Sequence, residues 1–296
     1  MFRWLPKRLR RGLVSRWLYK SITQPFEIIR NIKFWLGGGL SDEFHIFVLG
    51  PPRSGTTLIK NVIRSHSEVC SVDDETHFFI RQNYVQFRDP DIPDSKTKDA
   101  IQSVSNIPAL FDEFAGVRKE QTDASVFLEK TTVHALRLQY ILTRFPKGKA
   151  VFVVRDPRDS LRSAKNNPGV WNGLPSEDPL GAYMETWRRC VSAYFDHEKS
   201  SQLTLVQYED FCQAPEEELT RVMAFLGMEV ENRQLDPSNF GRTRVSERQG
   251  LTRLNESISA KTVGKWREAL DDAEVQRIEG LVRDEMVELG YQPVTV

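Results

Sequence analysis

Residues 44–49 (FHIFVL) form an apolar run, interrupted only by His45, that leads straight into G-P-P-R-S-G-T-T, residues 50–57. Such a run reads as a buried strand. Leu58, Val62 and Ile63 then fall at helical spacing, so residues 57–66 read as a helix. A glycine-bracketed turn between a buried strand and a helix leaves few architectures open. It presents backbone N–H groups and the positive end of the helix dipole to an anion. The spacing is that of a phosphate-cradling loop, G-x-x-x-x-G-K-[ST], but Thr56 stands where the lysine belongs. Ser54, Thr56 and Thr57 offer hydroxyls, and Arg53 offers planar donors that suit an oxyanion ester. In a nucleoside triphosphatase the lysine holds the β- and γ-phosphates and a following Ser or Thr holds Mg²⁺. Here the lysine is gone, and no apolar run ends in a clear metal-binding aspartate. A plain strand–turn–helix and a nucleotide kinase stay open as readings of this loop alone.

The rest of the chain supplies companions for the first strand. Residues 69–72, 126–129, 149–154 and 203–207 read as further strands. Helices are expected over 133–144, 178–199, 215–226 and 271–288. Asp156-Pro157 reads as a cap and first helical position, and Gly227 as a stop. Residues 88–99 (RDPDIPDSKTKD) read as a surface loop, and 236–262 as polar and irregular. Nothing recognisable marks 80–125 or 166–182. In the latter stretch Trp171 is either a stacking platform for a sugar or a side chain packed on the body. Short apolar strands alternating with helices predict a parallel sheet covered on both faces. Ligands in such sheets sit beyond the carboxyl ends of the strands. The polar segments 51–57, 129–130 and 155–163 each follow a strand and are expected to gather on one edge.

The formal net charge of the 296 residues is zero but unevenly spread. Residues 1–35 carry nine Lys/Arg against one acid, Glu27, a net of +8, which leaves −8 on the remainder. Leu5, Leu9, Leu13 and Trp17 recur every four residues, while Lys7, Arg8, Arg10 and Arg11 crowd mostly the other side. Residues 1–40 therefore read as a basic amphipathic arm ahead of a domain over 41–296. An anionic membrane surface, reached through residues 1–36, and the acidic body of the protein are the partners this pattern fits. No nucleic-acid partner is expected. Cys70, Cys190 and Cys212 show no CxxC and no metal spacing, which points to reduced thiols in a cytoplasmic setting. No apolar run approaches the ~20 residues that span a bilayer, so any membrane association is expected to be peripheral.

In order along the chain, P-R-S-G-T-T (52–57), D-E-T-H-F-F (74–79), L-E-K-T-T (128–132) and V-V-R-D-P-R-D-S-L-R-S (153–163) resemble the motifs of sulfotransferases that use 3′-phosphoadenosine 5′-phosphosulfate (PAPS). V-Q-Y-E-D-F (206–211), S-A-K-T-V-G-K-W (259–266) and L-G-Y (289–291) are looser matches. D-E-T-H-F-F is similar both to the E-x-H-F-F of glycosaminoglycan-type members and to the E-E-T of tyrosylprotein types. Thr132 departs from the proline often found after E-K-T. The resemblance spans about residues 44–292. It implies an α/β fold: a single P-loop-like, three-layer domain with a central parallel sheet, joined to the N-terminal basic helical arm.

The resemblance also implies roles. Glu75 becomes the general base toward an acceptor hydroxyl, with Asp74 as its rival, since a carboxylate within hydrogen-bond reach suits that task. His77 orients the acceptor or is a backbone-bonded surface histidine. Phe78 and Phe79 are expected in the core. Lys130, at a strand end, is placed to meet negative charge developing on the leaving phosphate. Arg53, Ser54, Gly55, Thr56 and Thr57 line the 5′ end of the nucleotide, Arg155 and Ser163 its 3′-phosphate, and Tyr208 its adenine. Lys261 and Lys265 are further phosphate candidates. The expected reaction moves a sulfuryl group to a hydroxyl, a carbohydrate or lipid-linked glycan being favoured over a tyrosine or small metabolite, and no metal is required. A nucleotide kinase and a non-catalytic nucleotide-binding protein are the rivals from other classes.

Overall fold

The computed structural model describes residues 25–81, 83–240 and 258–294. In chain order its principal elements are α1 (Pro25–Leu36), β1 (His45–Leu49), α2 (Thr56–Arg64), β2 (Val69–Ser71), α3 (Asp94–Ser103), α4 (Ile107–Thr122), β3 (Val126–Lys130), α5 (Leu138–Arg144), β4 (Lys149–Val154), α6 (Pro157–Lys165), α7 (Pro168–Trp171), α8 (Pro179–Phe195), β5 (Leu203–Gln207), α9 (Tyr208–Gln213), α10 (Pro215–Leu226), α11 (Trp266–Ala269) and α12 (Asp272–Glu288). The five strands form one sheet in the order β2-β3-β1-β4-β5, with every pairing parallel.

The strand sequences explain the layers. Successive side chains point to opposite faces. On β1, Phe47 and Leu49 enter one core while Ile46 and Val48 enter the other; β4 repeats this with Ala150, Phe152 and Val154 against Val151 and Val153. α1, α4, α5, α8 and α12 close the first core, with Phe34, Phe111, Ile141, Trp187 and Ile278 inside it. α2, α9 and α10 close the second, with Ile59, Val62, Phe211, Val222 and Met223. The result is the three-layer α/β arrangement with a parallel sheet that the sequence implies.

Several local expectations change. Residues 88–99 are not all loop: α3 starts at Asp94 and buries Thr97, Ala100 and Ile101, a face too small and polar to stand out as periodic. α4 was not expected, yet its signals are ordinary. Asn106 caps it by accepting from Ala109 N, Pro108 lies in the first turn, and Leu110, Phe111, Phe114 and Ala115 face inward. The helix expected over 133–144 begins as a 3₁₀ stretch, Thr132–Arg137, before α5. Trp171 ends the short α7 and packs against the core, the second of its two expected roles. The three cysteines are free and buried. Residues 1–24 of the basic arm, and 241–257 of the irregular stretch, lie outside the described residues.

Phe111 is the centre of the first core beside the site. Its ring lies 5.2 Å from Phe78 and Phe79, 5.3 Å from Phe145, 5.6 Å from Phe127 and 5.0 Å from the His45 ring. It is fully buried. Phe111→Ala leaves a void these rings cannot close, and is expected to lower stability by about 3–5 kcal/mol. Urea denaturation read by tryptophan fluorescence measures it.

Candidate active site

The carboxyl ends of β1, β3 and β4 lie side by side in the centre of the sheet, so the segments after them meet. Gly50 begins the loop after β1 with φ 150 and sits so close to β4 that a Cβ would lie 2.0 Å from the Val153 carbonyl oxygen. Arg53 holds a left-handed φ of 66, unusual for a side chain with a Cβ. Gly55 caps α2 at φ 93, and a Cβ there would stand 2.2 Å from Cδ2 of Tyr208. The first turn of α2 carries no acidic residue and no side-chain cap, which leaves its positive end for an outside anion. Ser54 and Thr56 are buried in the loop, and the Ser54 hydroxyl has no hydrogen-bond partner among the described residues. Thr57 is half-buried.

The loop is tied to the segment after β4. Arg53 Nε donates to Ser163 Oγ at 3.1 Å, and Tyr183 on α8 donates its hydroxyl to the Pro52 carbonyl at 2.6 Å. Asp156 caps α6 by accepting from Arg158 N. Arg155, just before it, is buried and lies 4.4 Å over the Tyr208 ring; its Nε has no hydrogen-bond partner among the described residues. Arg155 Nη2 donates to the Thr262 carbonyl at 2.6 Å, and Tyr208 and Thr262 join hydroxyls at 2.8 Å. Asp159 holds the same turn by accepting from Gly264 N at 2.6 Å and Trp266 N at 2.9 Å. Lys261 is exposed and Lys265 half-buried. The residue between them that reaches the Arg155–Tyr208 pair is Thr262, which the sequence reading passed over in favour of the lysines.

On the other side, β3 ends in Glu129-Lys130, whose side chains must leave by opposite faces. Lys130 Nζ donates to Glu75 Oε1 at 2.7 Å, and Thr132 Oγ1 lies 3.4 Å from both oxygens of that carboxylate. Asp74, the rival base, has a buried Oδ1 without a hydrogen-bond partner among the described residues. Burial pushes the Glu75 carboxyl up, but the charge and hydrogen bond of Lys130 outweigh it, and His77 adds to them, leaving Glu75 below its ordinary value. His77 is exposed, at a left-handed φ of 52. Phe78 and Phe79 are core residues, as expected.

A buried network missed in the sequence reading holds this side. The Glu129 carboxylate accepts from Thr76 Oγ1 at 2.8 Å, Thr131 Oγ1 at 2.7 Å and His134 Nδ1 at 2.9 Å. His134 Nε2 accepts from Phe79 N at 3.1 Å, which places the ring proton on Nδ1. Thr131 Oγ1 also accepts from His77 N, and Thr76 Oγ1 from Phe78 N. The backbone of 76–79 is thus sewn to the end of β3. Lys60 of α2 does the same for residues 72–73. Its Nζ donates to the carbonyls of Val72, at 2.5 Å, and Asp73, at 2.9 Å, and burial, with Lys130 and Arg64 nearby, brings its pKa down to about 7. The signals were the E of L-E-K-T-T and the lone lysine on the apolar face of α2.

With this geometry in place, residues 45–232 match the Sulfotransferase family, and the chain belongs to it. Nodulation protein NoeE of Sinorhizobium fredii is 24% identical over 285 residues, 83% of this chain and 65% of that protein, so the chain spans just under two thirds of its length. A protein described as a putative protein-tyrosine sulfotransferase of Caenorhabditis briggsae is 23% identical, over 83% of this chain and 88% of its own. Among solved structures, the sulfotransferase domain of the Synechococcus PCC 7002 olefin synthase superposes with TM-score 0.65 at 16% identity, covering 86% of this chain and 97% of that one. Mouse sulfotransferase SULT7A1 complexed with PAP superposes with TM-score 0.54 at 17% identity, covering 85% and 88%. No helix among the described residues is long and apolar enough to cross a membrane.

Glu129 gives a pH prediction. Burial raises its carboxyl, but His134 and the hydroxyls of Thr131 and Thr76 outweigh burial and hold it below its ordinary value. Its contribution to stability is therefore present above the unfolded carboxylate pKa of about 4.3. It is lost as pH falls through the lower folded value. Glu129→Gln sets an amide donor against donors that converge on an acceptor. It is expected to cost about 1–3 kcal/mol at neutral pH and to show a shallower loss on acidification. Urea midpoints of both proteins from pH 7 downward check the two halves.

Proposed function

We propose that this sulfotransferase takes PAPS as donor and acts on an acceptor hydroxyl of a carbohydrate, a lipid-linked glycan being favoured. The observation that carries the reading is the Lys130–Glu75 pair at the sheet edge, beside a phosphate-type loop that lacks the lysine of a nucleoside triphosphatase. When bound, PAPS supplies the sulfuryl group and leaves as the 3′,5′-bisphosphate.

The chain's own residues supply the rest. Glu75, kept ionised by Lys130, takes the proton of the acceptor hydroxyl on its carboxylate. Lys130 has three N–H donors, one of them on Glu75, and the others suit a leaving phosphate oxygen. Arg53, Ser54, Gly55, Thr56 and Thr57 form the cradle for the 5′ side. The buried Ser54 hydroxyl and Arg155 Nε, both without partners among the described residues, are donors of the kind an anionic ester satisfies. Arg155 and Ser163 take the 3′-phosphate, and Tyr208, packed on Gly55, borders the base. Lys261 and Lys265 stay as outer phosphate contacts, and His77 as an acceptor contact at the mouth. Catalysis on this reading is positioning plus electrostatic stabilisation.

The carbohydrate preference is supported by the likeness of D-E-T-H-F-F to glycosaminoglycan-type members. The relative described as a protein-tyrosine sulfotransferase favours tyrosine as the second reading. Incubation with sulfate-labelled PAPS and a panel of glycans, glycolipids and tyrosine peptides decides between them. Label in peptides alone overturns the carbohydrate reading.

Two sets of variants test the roles. Arg53→Ala and Arg155→Ala are each expected to weaken 3′,5′-bisphosphoadenosine binding by about 2–4 kcal/mol in calorimetry; wild-type protein that binds ATP equally well rules out this donor. Glu75→Gln is expected to keep nucleotide affinity and lose roughly 10²–10⁴ in turnover, while Asp74→Asn stays active. The reverse pattern makes Asp74 the base.

A further inference from the structure

α1 has two faces with different fates. One is fastened to the body. Phe34 is buried with its ring 5.8 Å from that of Tyr84. Arg30 donates to the carbonyls of Ile101, Gln102 and Val104, and Asn31 bonds Asn83 at 2.8 Å and accepts from Tyr84 N at 2.7 Å. The opposite face carries Phe26, Ile29, Lys33 and Leu36 at helical spacing, with Ile32 beside them. Phe26 is 87% exposed, Leu36 81% and Ile29 54%. Trp35, 53% exposed, extends the apolar surface. Large side chains lined up like this on a monomer mark a place of contact.

We infer that this face of α1 is a docking surface for an anionic lipid bilayer. The charge of the chain argues for this occupant. Residues 1–24 run directly into α1 and carry seven Lys/Arg and no acidic residue, with Trp4, Leu5, Leu9, Leu13, Trp17 and Leu18 among them. An apolar helix face flanked by cations and without acids matches a headgroup layer, where the side chains enter the acyl boundary and the cations meet anionic lipid. Lys33, in the middle of the stripe, has a stem long enough to keep its ammonium at headgroup level. A protein partner would have to bury that charge or pair it.

The fastening on the inner face links this surface to the active site. Asn31 holds Asn83 and Tyr84, and the Tyr84 hydroxyl donates to the Phe78 carbonyl at 2.9 Å, within the T-H-F-F stretch that follows Glu75. A bilayer under α1 therefore lies against the flank of the proposed acceptor side. This deepens the lipid-linked acceptor reading and rests on it only for that purpose; the docking itself needs no turnover.

The test uses the full chain and vesicles of phosphatidylserine and phosphatidylcholine, without donor or acceptor. Co-sedimentation is expected at low salt, with release at high salt and little binding to pure phosphatidylcholine. The double variant Ile29→Asp/Leu36→Asp changes only exposed positions. It is expected to keep wild-type circular dichroism and nucleotide binding while its vesicle partitioning falls at least about tenfold, as loss of two buried apolar side chains implies. Wild-type protein that ignores anionic vesicles overturns the proposal and leaves the stripe to residues 1–24 or a second copy. A double variant that partitions like wild type also overturns it, assigning any lipid contact to the arm alone. A glycan panel that fails with unanchored acceptors leaves this result untouched.

Discussion

A buried carboxylate holds the Glu75–Lys130 side of the site together. Glu129 lies buried at the sheet edge, and three donors from two segments converge on it: Thr76 from the stretch after β2, and Thr131 and His134 from the turn after β3. A charge in such a place is tolerated only when its lone pairs are filled. The same three side chains accept from the backbone amides of His77, Phe78 and Phe79. That condition fixes the turn after β2 against the end of β3, and it brings Glu75 to Lys130. Remove the hub and the Glu75–Lys130 pair loses its frame before it loses either member.

The side formed by the loop after β1 and the start of α6 is built differently. It has no single hub but a set of close approaches, each permitted by a missing Cβ or enforced by an aromatic face. Tyr208 packs on Gly55, and Arg155 lies over Tyr208. Thr262 closes the group, and Asp159 fixes the Thr262 turn through the amides of Gly264 and Trp266. Loop, strand end and C-terminal turn thus come together around two arginine-bearing positions. Arg53 donates to the Ser163 hydroxyl and Arg155 to the Thr262 carbonyl.

Much of this was legible in the chain because it rests on short-range rules. β1 and β4 are largely apolar runs buried on both faces, and such a run needs no partner to be recognised. Asp156-Pro157 and Gly227 are local signals, and they mark helix ends where the sequence places them. α4 is legible through Asn106, Pro108 and its apolar face. α3 is not, since Thr97 and Ala100 are too small for their burial to show as a period. The network around Glu129 was closed to sequence reasoning for another reason. Its members are spaced over 76–134, and nothing at position 134 says that its ring turns toward 129.

By itself the sequence determined the layered α/β class, the glycine-bracketed loop with threonine in place of lysine, and the roster of charged residues at strand ends. These depend on residue type and spacing within one strand–turn–helix unit. Tertiary structure alone decided which of these residues meet. It set Lys130 against Glu75 and left Asp74 without that partner. It carried Thr262 rather than its neighbouring lysines to Arg155, and it divided α1 into a fastened face and an open one. Each outcome turns on contacts between segments far apart in the chain, and those distances are set by how the two cores pack, which no local pattern records.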